Sequence, residues 1–118
     1  MRGDMSNCLF CRIIAGEINA SIVHDGEHLV AFRDINAQAP LHVLIVPRRH
    51  IPTLNDLQLN DDQLVGSMFR TAAELATKHG YAERGYRTVF NTNADAGQTV
   101  FHIHLHLLAG RTLHWPPG

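Results

Sequence analysis

The 118 residues, 45% of them hydrophobic, suffice for one compact domain with its own core and are too few for two. Ten basic against eleven acidic side chains leave a formal net charge of −1, which excludes a broad electrostatic footprint for nucleic acid or an anionic membrane and confines anion binding to a local site. No run approaches the roughly 18 apolar residues of a membrane span, and the opening MRGDMSN lacks the apolar stretch of a signal peptide, so a cytoplasmic protein is expected.

Residues 1–7 are polar and small without periodicity and read as a frayed, flexible end, leaving 8–118 as a single domain. From Cys8 to Ile14 the apolar residues Leu9, Phe10, Ile13 and Ile14 recur at three to four, which predicts a short helix stopped by Gly16. Ser21–Val23 and Leu29–Phe32 read as short strands, with Asp25 and Gly26 supplying a hairpin turn. After Pro40, the aliphatic run Leu41–Val46, interrupted only by His42 and ended by Pro47, predicts a central strand buried on both faces. Asn60 as N-cap, acidic Asp61 and Asp62, and Gln63 precede Leu64, Met68, Ala72, Leu75 and Ala76 at helical spacing, and Lys78, His79 and Gly80 supply the end of this one long helix. Tyr86–Asn91 follows as a strand, then a polar loop, Thr92–Gly97. No internal repeat or linker interrupts this order, which suits an α+β fold with a mainly antiparallel sheet.

The most informative stretch is residues 98–106, where His102, His104 and His106 alternate with Ile103 and Leu105 before Leu107 and Leu108. That is the period of a strand, so the three imidazoles share one face and the aliphatic residues the other. Side chains two apart on a strand stand about 6.5–7 Å from each other, close enough for neighbouring rings to address one phosphate-sized group or to share the work with a metal. Phosphoryl chemistry needs a nucleophile, donors for charged oxygens and a proton for the leaving group, and imidazole can fill each role near neutral pH. Cys8 and Cys11 are too close for a structural staple, and in a reducing compartment a CxxC pair points to metal first. Taken alone, His42 reads as a core histidine.

QTVFHIHLHLLAGR resembles the signature of the histidine triad (HIT) family, and the likeness extends to FCRIIAGEI, AFRDI, residues 39–47, Arg49 to Ile51, Asn91 and the closing HWPPG. Together these resemble the nucleotide-binding, phosphoramidase branch of that family. The resemblance implies a five-stranded sheet with one long and one short helix, paired into a two-fold dimer. It implies hydrolysis of purine nucleoside 5′-phosphoramidates to a nucleoside monophosphate and an amine, with His104 as the nucleophile that becomes nucleotidylated, His106 beside the phosphate and leaving group, and His42 and His102 as its neighbours. Asp34 matches the position that takes the ribose hydroxyls. Ile35, Phe10, Ile13 and Phe32 match the lining around the base, and Asn91, Gly97, Gln98 and Thr99 the phosphate side. Thr99 stands where the family often carries Ser, which keeps the hydroxyl and adds a methyl.

By the same resemblance, Cys8, Cys11, His50 and His102 correspond to a structural zinc set, two thiolates and two imidazoles that satisfy a closed tetrahedral site; no organic cofactor is implied. The tail, with Trp115 followed by two prolines that hold it extended, is expected to approach the partner subunit's active site, with the long helix and the 86–91 strand at the interface. The alternatives are a dinucleoside polyphosphate hydrolase or nucleotidyl transferase, or a non-catalytic nucleotide-binding adaptor.

Overall fold

The computed structural model describes residues 7–118, as α1 (Leu9–Ile14), β1 (Ile22–Asp25), β2 (Leu29–Arg33), β3 (Leu41–Pro47), α2 (Asp62–Lys78), β4 (Arg87–Val89), α3 (Asn93–Ala96) and β5 (Leu105–Ala109). The expected flexible stretch 1–7 falls, Asn7 apart, outside these residues. The strands form one antiparallel sheet in the order β1-β2-β3-β5-β4. β3 is central and every one of its seven residues is buried, as a continuous aliphatic run requires. No helix among the described residues is long and apolar enough to cross a membrane.

The two faces of the sheet have different covers. On one, Ala31, Val43, Ile45, Leu105 and Leu107 meet Met68, Ala72, Leu75 and Ala76 of α2, whose apolar stripe lies on the sheet. On the other, Val30, Phe32, Leu44 and Val46 meet Cys8 and Phe10 from the start of the chain. The period of two along β2, β3 and β5 produces this division, and it leaves the histidine face of β5 on the α1 side.

Several expectations need correction. The triad segment is a strand only from Leu105 onward, so His106 alone of the three histidines lies in β5. The cause sits on the neighbouring strand: Leu105 pairs with Ile45, and continuing the register past His104 opposite Val46 would set Ile103 opposite Pro47, which has no N–H to give. The Pro47 carbonyl instead takes the His102 ring, and the Ile103 N–H bonds the Ile51 carbonyl at 2.8 Å. The faces nevertheless persist, since Ile103 packs with the α2 core and His102 and His104 are buried on the other side. The long helix is capped by Asp61 rather than Asn60, because a 3-10 turn, Leu59–Asp61, precedes it. Asp61 is 3% exposed, its Oδ2 accepts the Gln58 N–H at 2.8 Å, and Arg49 pairs with Oδ1. Gln63 therefore has no capping role. The 86–91 strand contracts to Arg87–Val89, and the loop after it contains α3, a single turn closed by Gly97 at φ +85°.

Candidate active site

Cys8 caps α1 with its thiol, which accepts the Cys11 N–H at 3.3 Å and so brings the two sulfurs to one end of the helix. Facing them are His50, just after β3, and His102. The Nδ1 atoms of these two rings lie 3.3 Å apart, with Cys11 Sγ 3.3 Å from His50 and 3.5 Å from His102, and Cys8 Sγ 3.4 Å from His102. Tetrahedral zinc, with bonds of about 2.0–2.1 Å to nitrogen and about 2.3 Å to sulfur, sets its ligand atoms about 3.3 Å (N to N) and about 3.6 Å (N to S) apart. The donor set matches.

The protonation of His102 matches as well. Its Nε2 lies 2.7 Å from the Pro47 carbonyl, which can only accept, so Nε2 carries the proton and Nδ1 turns a lone pair toward the cluster. Burial pushes its pKa down to about 4, against the pull of that carbonyl, which keeps the ring neutral. Burial, then the hydrogen bond and charge of Cys8, push the Cys11 thiol up to about 12. Unaided, the Cys11 thiol stays protonated; a divalent cation is what would turn such a pair into ligands.

The same reasoning fixes the other two triad histidines. His104 Nδ1 lies 2.8 Å from the His102 carbonyl, so that nitrogen carries the proton and Nε2 is left with its lone pair. Phe10 stands edge-on to this ring at 4.9 Å between centroids and helps to desolvate it; burial pulls its pKa down, opposed by the His102 carbonyl and by the Asp34 charge. The His106 ring is 5.0 Å away between centroids. His42 Nδ1 accepts the Gln38 N–H at 3.0 Å, so the proton of neutral His42 is on Nε2, which points at His106 Nδ1 at 2.9 Å and at Asp34 Oδ2 at 3.4 Å. His106 Nδ1 is therefore an acceptor, and its own proton sits on Nε2. Burial, then His104 and His42, push the His106 pKa down to about 4; that of His42 is lowered by burial, offset in part by Asp34.

Asp34, His42 and His106 have ligand atoms close enough to suggest a second metal site. Their wiring opposes it. A histidine that binds metal through one nitrogen gives its other N–H to an acceptor, whereas the outer nitrogen of His42 itself accepts the Gln38 N–H.

A cavity of about 320 Å³ opens beside these rings. Of the residues singled out from the sequence, His104, His106, Asp34 and Asn91 line it, as do Gly97 and Thr99 and the apolar Phe10, Ile13, Phe32 and Ile35. His42 stands behind His106 and His102 faces the cysteines. Gln98 is not brought to the cavity. Its side chain bonds the Pro52 and Val100 carbonyls and the Asn93 N–H, and its own N–H is taken by the Asn93 carbonyl, so it braces the loop from within. Trp115 is 81% exposed and does not line the cavity. Sequence reasoning missed Asn19, which lies outside every matched stretch, and Arg33, which lies within AFRDI but was given no role; both are polar residues at the cavity. It also missed Gln38, which acts through its backbone and leaves no signature in residue type.

The sequence profile of the HIT domain matches residues 15–113. The chain is 49% identical over 105 residues to a purine nucleoside phosphoramidase of Escherichia coli K12, covering 89% of this chain and 88% of that protein. Among solved structures it is similar to a HIT family hydrolase from Legionella pneumophila Philadelphia 1, with 52% identity, a TM-score of 0.93, and coverage of 95% of this chain and 100% of that one. A histidine triad protein from Clostridium difficile superposes with a TM-score of 0.88 at 35% identity, covering 92% of this chain and 94% of that one.

Proposed function

The chain belongs to the HIT domain family, and on that premise we propose that it hydrolyses the P–N bond of purine nucleoside 5′-phosphoramidates, releasing an amine and a nucleoside monophosphate. One observation carries the reading: His104 has its Nδ1 proton held by the His102 carbonyl and a bare Nε2 at the cavity, beside the protonated Nε2 of His106. Nε2 of His104 attacks phosphorus, the P–N bond breaks, and the departing nitrogen takes the proton from His106 Nε2. The nucleotidylated His104 ring, with both nitrogens substituted, is positive 5.0 Å from the His106 ring, and the His42–His106 pair regains from solvent the proton it gave, so that no imidazolate is left. Water then attacks the same phosphorus, the P–His104 bond breaks, and the water proton leaves to solvent. Atoms and charge balance over the two halves.

Asp34 receives the ribose hydroxyls; its Oδ1 already accepts the Asn36 N–H at 2.9 Å but, like Oδ2, keeps a further lone pair for a donor. The base lies among Phe10, Ile13, Phe32 and Ile35, and Asn91, Gly97 and Thr99 stand at the phosphate end. Cys8, Cys11, His50 and His102 hold zinc, which ties α1 to the approach of β5 and takes no part in hydrolysis. Two copies pair through β4, one of the two edge strands of the described sheet, and through α2, whose half-exposed Phe69 meets Phe90 edge-on at 5.8 Å. The exposed Trp115 then covers part of the partner's pocket. Adjacent free thiols suit a reducing, cytoplasmic setting.

Turnover of a fluorogenic adenosine 5′-phosphoramidate, run beside a dinucleoside polyphosphate, tests the reading. Release of the amine with a nucleotidyl adduct on the His104 peptide is expected; faster cleavage of the polyphosphate, or no turnover of either, would replace it with the nucleotidyl-transfer or adaptor reading.

A further inference from the structure

The wiring of His42 depends on the loop that joins β2 to β3, and that loop is held by residues from the far end of β5. Arg111 Nε donates to the Gln38 carbonyl at 2.8 Å, and its Nη1 donates to the Thr112 carbonyl at 3.0 Å, so the guanidinium bridges the two segments. Gly110 makes the approach possible. At φ +103° it has no side chain, and a Cβ there would meet Pro40 Cβ at 2.8 Å and Cγ at 2.9 Å. The loop is thus clamped at Gln38 and Pro40, on either side of Ala39. Its other end is fixed by the Asp34 N–H on the His42 carbonyl at 2.9 Å.

We propose that Arg111 is a positioning residue for the hydrolysis: by holding the Gln38 carbonyl it keeps the Gln38 N–H on His42 Nδ1, and so keeps the proton of His106 on the nitrogen that faces the substrate. The chain of cause runs through three contacts. Arg111 orients Gln38, Gln38 assigns the Nε2 proton to His42, His42 occupies His106 Nδ1, and His106 presents Nε2–H. Without the clamp the loop can turn the Gln38 N–H away. His42 is then free to move its proton to Nδ1, His106 to move its own to the same atom, and the leaving nitrogen faces a lone pair instead of a donor. His104 is wired separately, through the His102 carbonyl, and stays as it is.

The inference rests on the phosphoramidase reading for its kinetic consequence, though its structural half stands without it. The experiment compares wild type, Arg111→Ala and Arg111→Lys, each checked for an unchanged thermal transition. Turnover of adenosine 5′-phosphoramidate is measured together with two-bond ¹⁵N–¹H correlations, which report the proton-bearing nitrogen of each ring above pH 7. For Arg111→Ala the expected result is a kcat lowered by about 10-fold with little change in KM, since proton delivery by a positioned group contributes roughly 10²–10⁴-fold and the clamp controls only part of it. The His42 and His106 patterns should change while that of His104 does not. Lysine, which can still give one N–H to the carbonyl, should recover most of the rate. An Arg111→Ala protein with wild-type kcat overturns the proposal, as does one whose kcat falls while the His42 and His106 patterns stay those of wild type. If wild type fails to turn over the phosphoramidate, it is the functional reading that fails, and the ring patterns of Arg111→Ala alone decide the clamp.

Discussion

The cluster of Cys8, Cys11, His50 and His102 and the cluster of Asp34, His42 and His106 both bring two imidazoles together with anionic or potentially anionic partners, within the same few ångströms. They differ in what lies behind the ring. His102 leans on a carbonyl, the Pro47 oxygen, which holds the ring proton on Nε2 and turns a lone pair inward. His42 leans on a donor, the Gln38 N–H, which holds a lone pair on Nδ1 and turns a proton inward. The first arrangement presents a ligand and the second presents an acid. Residue type and spacing therefore do not separate metal chemistry from proton chemistry here; a single backbone group behind each ring does.

The sharpest way to break this comparison is at His104, the ring between the two clusters. Replacing His104 by Ala removes the only bare imidazole nitrogen assigned to attack phosphorus, and kcat should fall by roughly 10³-fold or more while nucleotide binding persists. Near wild-type kcat in a single-turnover assay would end the assignment. His106→Ala should lower kcat by roughly 10²-fold for amine leaving groups. With a leaving group that needs no proton, such as fluoride on the same nucleotide, most of that loss should vanish; an equal loss for both substrates would mean that His106 does not deliver the proton.

Metal analysis sharpens the contrast directly. Protein prepared without chelators should carry about one zinc per chain, and changing Cys8 and Cys11 together to Ser should abolish it and lower Tm by about 5 °C or more, because a metal bound only by the folded chain stabilises it. His42→Ala should leave the zinc count unchanged. Two zinc ions per chain, one of them lost with His42, would show that the wiring argument against the second cluster is wrong.

Much of this was legible in the sequence, and the parts that were not share a cause. The buried run Leu41–Pro47, the α2 stripe and the facing of Ile103 and Leu105 away from the histidines follow from local periodicity, which a sequence displays. The place where β5 begins does not, because it is decided by a proline on the neighbouring strand, 58 positions from Leu105. The four residues of the Cys8, Cys11, His50 and His102 cluster were legible through the family resemblance. The Gln38–His42–His106 relay was not, since any residue but proline could supply that N–H, and Gln98 looked like a phosphate donor only until its bonds were seen to be spent inside the loop.

The smallest expected effect concerns acid. His104 and His42 have lowered pKa values, and His106 lies near 4 where an unfolded histidine titrates near 6.5, so the native state binds these protons less readily than the unfolded chain. With the folded pKa depressed, the neutral rings' contribution is fully present above pH 6.5 and is lost progressively as pH falls through the interval down to about 4, where the unfolded state takes up protons that the native state refuses. The sign is opposite to that of a histidine paired with a carboxylate. His102 also titrates near 4, but a metal on its Nδ1 would compete with the proton, so its share should depend on zinc while that of His106 should not. The urea midpoint of the zinc-loaded protein should therefore decline from about pH 6.5 to pH 4.5, and His106→Asn should flatten part of that decline without changing the zinc content. A midpoint that stays level or rises over this range would mean that the relay histidines are charged in the native protein, and with them the difference between a cluster that presents lone pairs and one that presents protons would disappear.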